Sequence, residues 1–215
     1  MRFPLWLRIV ATLFAASFVV VHWHYDNLIN FLWLSDIGLF GAVAALWFRS
    51  RLLASMMLLA TALSDGLGWT VDFILALLVG WHPLNATTYM FDARVPPIVR
   101  GLSLFHLLVP ALLVWMVRRL GYDRRALGVQ TAFTIVLFWV SHAVTDPARN
   151  INWVFGPGQP QSYMPGWLYL VAMMTVFPLM CYVPMHLILI LLRWDRRGAR
   201  PTARPGDADE ARLNR

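Results

Sequence analysis

Long apolar runs alternate with short polar stretches over most of the chain. A run of about 18 or more apolar residues reads as a membrane-spanning helix, and six segments qualify. The first covers residues 5–21 and gives way to a polar outcrop, His22-Trp23-His24-Tyr25-Asp26-Asn27. The second, 28–48, closes at Arg49-Ser50-Arg51. The third, 52–79, is long and is interrupted by Ser64-Asp65-Gly66-Leu67-Gly68, which predicts a tilt, a kink or two half-helices. A polar loop of roughly 80–97 follows, then a fourth span over 98–117 that stops at Arg118-Arg119. The fifth covers 126–144. A loop rich in Pro, Gly and Asn, roughly 145–165, leads to the sixth, 166–192, with Pro178 and Pro184 as expected bends. The pattern therefore predicts an all-α polytopic bundle of about six spans over residues 1–193. A disordered basic cytoplasmic tail, 194–215, is charged and carries Pro201 and Pro205.

Composition excludes the soluble alternative. The chain is 59% hydrophobic and 13% charged, with a mean hydropathy of +0.59. Soluble domains are about 45–50% apolar and about 25% charged. The net charge of +7 would suggest nucleic acid in a soluble protein. Here it comes from arginines at helix ends, without an aromatic–basic recognition motif, so no nucleic-acid partner is expected. Cys181 is the sole cysteine, which excludes an intrachain disulfide and a cysteine metal cluster. Lysine is absent and Glu210 is the only glutamate, a bias of composition rather than of chemistry.

The arginines also orient the bundle. All eighteen basic residues are arginine, and fifteen fall on one side. Arg2, Arg8, Arg49, Arg51, Arg118, Arg119, Arg124 and Arg125 flank those ends, with seven more from Arg193 onward. Only Arg94, Arg100 and Arg149 lie opposite. The positive-inside rule then puts both termini in the cytoplasm, in agreement with an even number of spans. Trp23, Trp81, Trp153 and Trp167 would mark the outer interface, and Trp6, Trp47 and Trp194 the inner one. A cleavable signal peptide over 1–21 is the competing reading; Arg2 and Arg8 suit it, but the apolar run continues past Ala15-Ala16-Ser17 without a clean cleavage site.

Topology makes depth calculable. Asp36, Asp72 and His106 each lie about eight residues inward from the outer ends of spans two, three and four, roughly 12 Å deep at 1.5 Å per residue. Intramembrane ionisable groups are costly, face a bundle interior or a water-filled cavity, and pair. The three are therefore expected to meet in a polar pocket open to the outer side. Asp65, seven residues before Asp72 and thus on the same helical face, would lie deeper. His142 and Asp146, four apart, are expected to hydrogen-bond and rim the pocket. A carboxylate–imidazole set serves general acid–base work, proton relay or metal binding alike. The plain alternative is that each polar residue only ties helices together. His186, near the inner end of span six, reads as a packing or interfacial residue. A weaker metal site is available to His22, His24, Asp26 and His82 if the first outer segment is extended.

The most particular segment is residues 145–158, with an Asp146/Arg149 pair, two asparagines for backbone capping and a Gly-Pro-Gly turn. Tyr89-Met90-Phe91-Asp92-Ala93-Arg94 repeats its aromatic–Asp–Arg character. Together these loops are expected to form a lid, or else simply to tie the outer helix ends together.

Four stretches carry a likeness: Trp33-Leu34-Ser35-Asp36, Tyr89-Met90-Phe91-Asp92, Gly101-Leu102-Ser103-Leu104-Phe105-His106 and residues 146–158. On these the chain resembles a group of uncharacterised bacterial multi-spanning membrane-associated proteins. The resemblance implies a bacterial inner-membrane location but no activity. A fainter likeness is to membrane hydrolases and acyltransferases that use an intramembrane histidine, for which His106 would be the match. No nucleophile aligns; Thr70, Ser103 and Ser141 merely stand near the layer. No Walker, Rossmann, HExxH, GxSxG or CxxC motif is present, and the sequence names no cofactor. Three functions remain: an enzyme acting on a lipid or lipid-linked substrate, a small proton-coupled transporter, and a membrane assembly or scaffold protein. A pocket closed below would favour the enzyme; access from both sides would favour the carrier.

Overall fold

In hydrocarbon a backbone must satisfy its own polar groups, and a helix does so residue by residue. The computed structural model describes residues 3–25 and 28–196, and within them the chain is helical with no strand. Nine α-helices follow in order: α1 (Leu5–Tyr25), α2 (Leu34–Phe48), α3 (Arg51–Thr61), α4 (Thr70–Val79), α5 (Pro97–Leu102), α6 (Phe105–Leu120), α7 (Ala126–Val144), α8 (Gly166–Phe177) and α9 (Val183–Leu191). Five stretches are long and apolar enough to cross a membrane: α1, α3–α4, α5–α6, α7 and α8–α9; α2 is a shorter apolar helix.

The third span is one continuous helix with a π turn, Ser64–Trp69, joining α3 to α4. The Gly68 N–H donates to the Leu63 carbonyl at 2.9 Å, five residues back. The Asp65 carbonyl likewise accepts from the Thr70 N–H, five residues on, and from the Thr70 hydroxyl at 3.1 Å. Gly66 lets this turn approach α6: a Cβ there would stand 3.0 Å from the Pro110 ring. The sixth span bends the same way, through a π turn at Pro178–Tyr182.

Two ends differ most from their expected positions; α6 also runs three residues past its expected end, through Arg118-Arg119 to Leu120. α1 runs on through His22 and His24 because His22 turns inward, its ring stacked on Phe18 at 3.8 Å. α2 starts late because Asn152, from the loop after α7, reaches its first turn. The Asn152 side-chain Oδ1 accepts from the Leu34 N–H (2.8 Å), and its Nδ2 donates to the Leu32 carbonyl (2.8 Å) and the Ser141 hydroxyl (3.0 Å). A 3₁₀ turn, Leu28–Leu32, therefore replaces the expected first turns of span two.

Small residues bring α2 against α3. A Cβ added at Gly38 or Gly41 would run into Thr61 or Met57, and Ala42, Ala45 and Ala54 are buried at the same seam. Leu46, Leu58, Leu59, Leu113 and Met116 fill the centre with no exposed surface. A buried row of side chains, Gln130 to Thr134 (3.1 Å) to Tyr182 (2.7 Å), joins α7 to the sixth span.

The connectivity gathers most of the described arginines at one end of the bundle, with Arg94, Arg100 and Arg149 at the other. At the first end Arg51 donates to the carbonyls of Tyr122 and Asp195, Arg124 pairs with Asp195 at 2.6 Å, and the Tyr122 N–H donates to the Trp194 carbonyl. Arg8 lies over Trp47, Arg118 over Trp194 and Arg119 over Trp115. Trp194 and Asp195, expected in the tail, are thus fastened to the bundle; residues 197–215 lie outside the described residues. Burial pushes the Tyr122 phenol well above its usual range.

Candidate functional site

At the opposite end, beneath the two long loops, lies a cavity of about 610 Å³. Its wall includes His22 of α1, Asp36 of α2, Trp69 of the π turn, Tyr89, His106 of α6 and Arg149.

Asp36 sits in the first turn of α2 and is 5% exposed. The positive end of the helix dipole favours a carboxylate there. His106 occupies the first turn of α6, reached through a break at Ser103 and Leu104 that separates α5 from α6. Its imidazole lies between two aromatic rings, Trp69 at 4.9 Å (17° between planes) and Phe105 at 4.2 Å (27°). His106 Nδ1 is 3.6 Å from the Asp65 carboxylate, inside ion-pair range but too long for a hydrogen bond. Nδ1 is buried and has no hydrogen-bond partner in the protein. Both side chains are only slightly exposed, 14% and 13%. The imidazole is therefore fixed in plane and position, with a carboxylate on one nitrogen.

The Trp69 indole N–H is also buried and makes no aligned hydrogen bond, although the Tyr89 hydroxyl is its neighbour together with Ser103. Burial, the leading cause, raises the Tyr89 pKa above that of a free phenol. At neutral pH Tyr89 is a proton donor in the cavity wall, not a phenolate.

The expected trio is only partly brought together. Asp36 and His106 share the cavity. Asp72 does not line it: its buried carboxylate accepts from the Leu84 N–H (2.7 Å), the Thr87 N–H (2.9 Å) and the Thr87 hydroxyl (2.7 Å), with His82 at 4.0 Å. The π turn explains the exchange. Seven residues apart on an α-helix share a face, but a turn closed by an i→i+5 bond inserts one residue and rotates the remainder of the helix by about 100°. Asp65 consequently faces His106, and Asp72 faces the loop.

His142 and Asp146 are not hydrogen-bonded to each other and neither lines the cavity. His142 stacks on Phe155 at 4.6 Å. Asp146 accepts from the Arg149 N–H (3.1 Å) and lies 3.6 Å from its guanidinium, so it touches the rim through Arg149. The weaker metal set does not assemble: among the described residues no group of three or more His, Cys, Asp or Glu could hold an ion. His22 faces the cavity, His24 packs edge-on against Tyr25, and His82 bonds to the Thr87 hydroxyl. Asp26 lies outside the described residues.

Both long loops roof the cavity, through residues 85–89 and 148–160. Asn150 braces the second: its side-chain Oδ1 accepts from the Phe155 N–H (3.0 Å) and its Nδ2 donates to the Gly156 carbonyl (2.9 Å). Asn150, Asn152 and Trp153 have positive φ, and a Cβ at Gly156 would collide with the backbone of Gln159 and Gln161. This is a built structure, with Ile151 and Val154 buried. Of the three hydroxyls near the layer, Thr70 and Ser141 are held by Asp65 and Asn152; Ser103 lines the cavity three residues before His106 and donates to the Val99 carbonyl. Sequence reasoning placed Tyr89 in a lid segment but missed Trp69 as a wall residue and Asp65 as the partner of His106. The available signal was the pair Gly66 and Gly68, which follow Asp65 inside the turn that rotates the helix beyond it.

The chain matches no protein-family model, no curated protein and no solved structure.

Proposed function

We propose that this is a membrane-embedded enzyme that performs acid–base chemistry on the polar head of a lipid or lipid-linked substrate. The observation that carries the reading is His106, clamped between Trp69 and Phe105 with Asp65 at 3.6 Å on the wall of a roofed cavity. In this reading the imidazole removes a proton from water or from a substrate hydroxyl. Asp65 fixes its orientation and stabilises the imidazolium that forms. Asp36 and Arg149, of opposite charge, position the head, and Tyr89 supplies a proton or hydrogen bond to the leaving oxygen.

Two further features support it. Leu58, Leu59, Leu113 and Met116 close the bundle below the dyad, which suits a one-sided pocket rather than a path across. α2, with 15 residues, is about 22 Å long at 1.5 Å per residue, against a hydrocarbon core of about 30 Å. Its cavity end would be recessed below the headgroup level. With the arginine end in the cytoplasm of a bacterium, the cavity opens on the outer face of the inner membrane.

The test uses the full chain reconstituted in vesicles of phosphatidylethanolamine and phosphatidylglycerol, with mass spectrometry of headgroup release or exchange. Turnover is expected on the face away from the termini. Positioned acid–base groups contribute about 10²–10⁴-fold, so His106→Gln should lose at least about a hundredfold and Asp65→Asn less. Equal turnover by the wild type and His106→Gln, or no conversion of either lipid, would sink the proposal.

A further inference from the structure

A second hollow, about 160 Å³, lies beside the first between α1, α2 and α6. Its walls are hydrocarbon: Val10, Ala11 and Phe14 of α1, Val43 of α2, and Phe105 and Leu108 of α6. It opens toward the surroundings of the bundle, where Val10 and Leu108 are 56% and 62% exposed. α1 and the α5–α6 stretch are both long and apolar enough to cross a membrane, so what surrounds this mouth is lipid. At its inner end stands Phe105, which is 2% exposed, lines both hollows and holds one face of His106. Phe18, on the wall of the polar cavity, meets Phe105 edge-on at 5.2 Å. A polar chamber and an apolar groove thus share one aromatic side chain as their common wall.

We propose that the groove holds the stretch nearest the head of one acyl chain of a membrane lipid, whose head occupies the polar cavity and whose chain end continues into the bilayer. The inference rests on the headgroup reading of the cavity and narrows it: the substrate is an amphiphile held at both ends, not a soluble molecule entering from water. The chain lies along Ala11 and Leu108, and the head turns past Phe105 toward His106 and Asp36. Ala11 is the narrowest residue on the α1 wall. A bulky ring there fills the groove without touching the polar cavity.

The test reconstitutes the full chain in vesicles of phosphatidylethanolamine and phosphatidylglycerol, extracts it into detergent and counts retained lipid by native mass spectrometry. Wild type should keep one lipid of either head. Ala11→Phe should lower that occupancy at least tenfold, while Leu13→Phe, exposed on α1 and outside the groove, should leave it unchanged. Leu108→Phe fills the same groove from α6 and serves if Ala11→Phe does not fold. Retention by both filling variants at the wild-type level overturns the proposal, as does equal loss in Leu13→Phe. If the filling variants keep their lipid while His106→Gln still abolishes headgroup turnover, the groove alone is wrong. If His106→Gln also turns over normally, both readings fall.

Discussion

Two aspartates seven residues apart have opposite roles. Asp65 faces a histidine across 3.6 Å with no hydrogen bond; Asp72 accepts three hydrogen bonds and holds a loop. A hydrogen bond to a charged group is worth about 1.5–3 kcal/mol, and stranded buried donors add to the loss. Asp72→Ala should therefore destabilise the protein by about 3 kcal/mol or more, read as the thermal unfolding midpoint in detergent. Since Asp72 is not on the cavity wall, the surviving folded fraction should keep the wild-type pH profile of turnover, whereas Asp65→Asn should alter it. A profile shifted by Asp72→Ala would return that residue to the chemistry.

At the scale of the element, the ends of helices matter more than their middles. Asn152 caps α2 from 118 residues away in sequence. Loss of such a cap costs typically about 1 kcal/mol and up to about 2; Asn152→Ala also breaks bonds to Leu32 and Ser141, so about 2 kcal/mol is expected. Amide hydrogen exchange should quicken at the start of α2, around Leu34 to Asp36; unchanged protection there would refute the cap. Here too lies the boundary of what the sequence discloses. The apolar runs placed α7 at its observed limits, and arginines marked the common end, because hydropathy and charge are read one residue at a time. The start of α2 was misplaced by six residues, since its cap comes from a distant loop. The Asp65-for-Asp72 exchange was invisible because a heptad argument assumes an unbroken α-helix, and one π turn voids it. The capping asparagines of the second loop were legible, since only such residues serve as short polar caps at positive φ; what they would cap was not.

For the whole molecule, the arginine end and the cavity end are built on different principles. The first is tied by guanidinium contacts to carbonyls, carboxylates and indoles; the second by asparagine and aspartate holding loops over a hollow. In the proposed orientation the short α2 would set the hollow into the thickness of the bilayer, with the packed leucines and methionine beneath it. Moving one charge through the full membrane potential is worth about 2.3 kcal/mol per 100 mV. Water standing in the hollow would carry the outer potential down to His106, so the voltage drop falls mainly across the packed layer below. A proton taken up or given off at the imidazole then does almost no electrical work. Headgroup turnover should run at the same rate in vesicles with and without an imposed potassium diffusion potential; a steep voltage dependence would mean that the charge moves through the packed layer after all. Under the proposed activity, a catalyst so placed would stand inside the membrane while remaining, electrically, outside it.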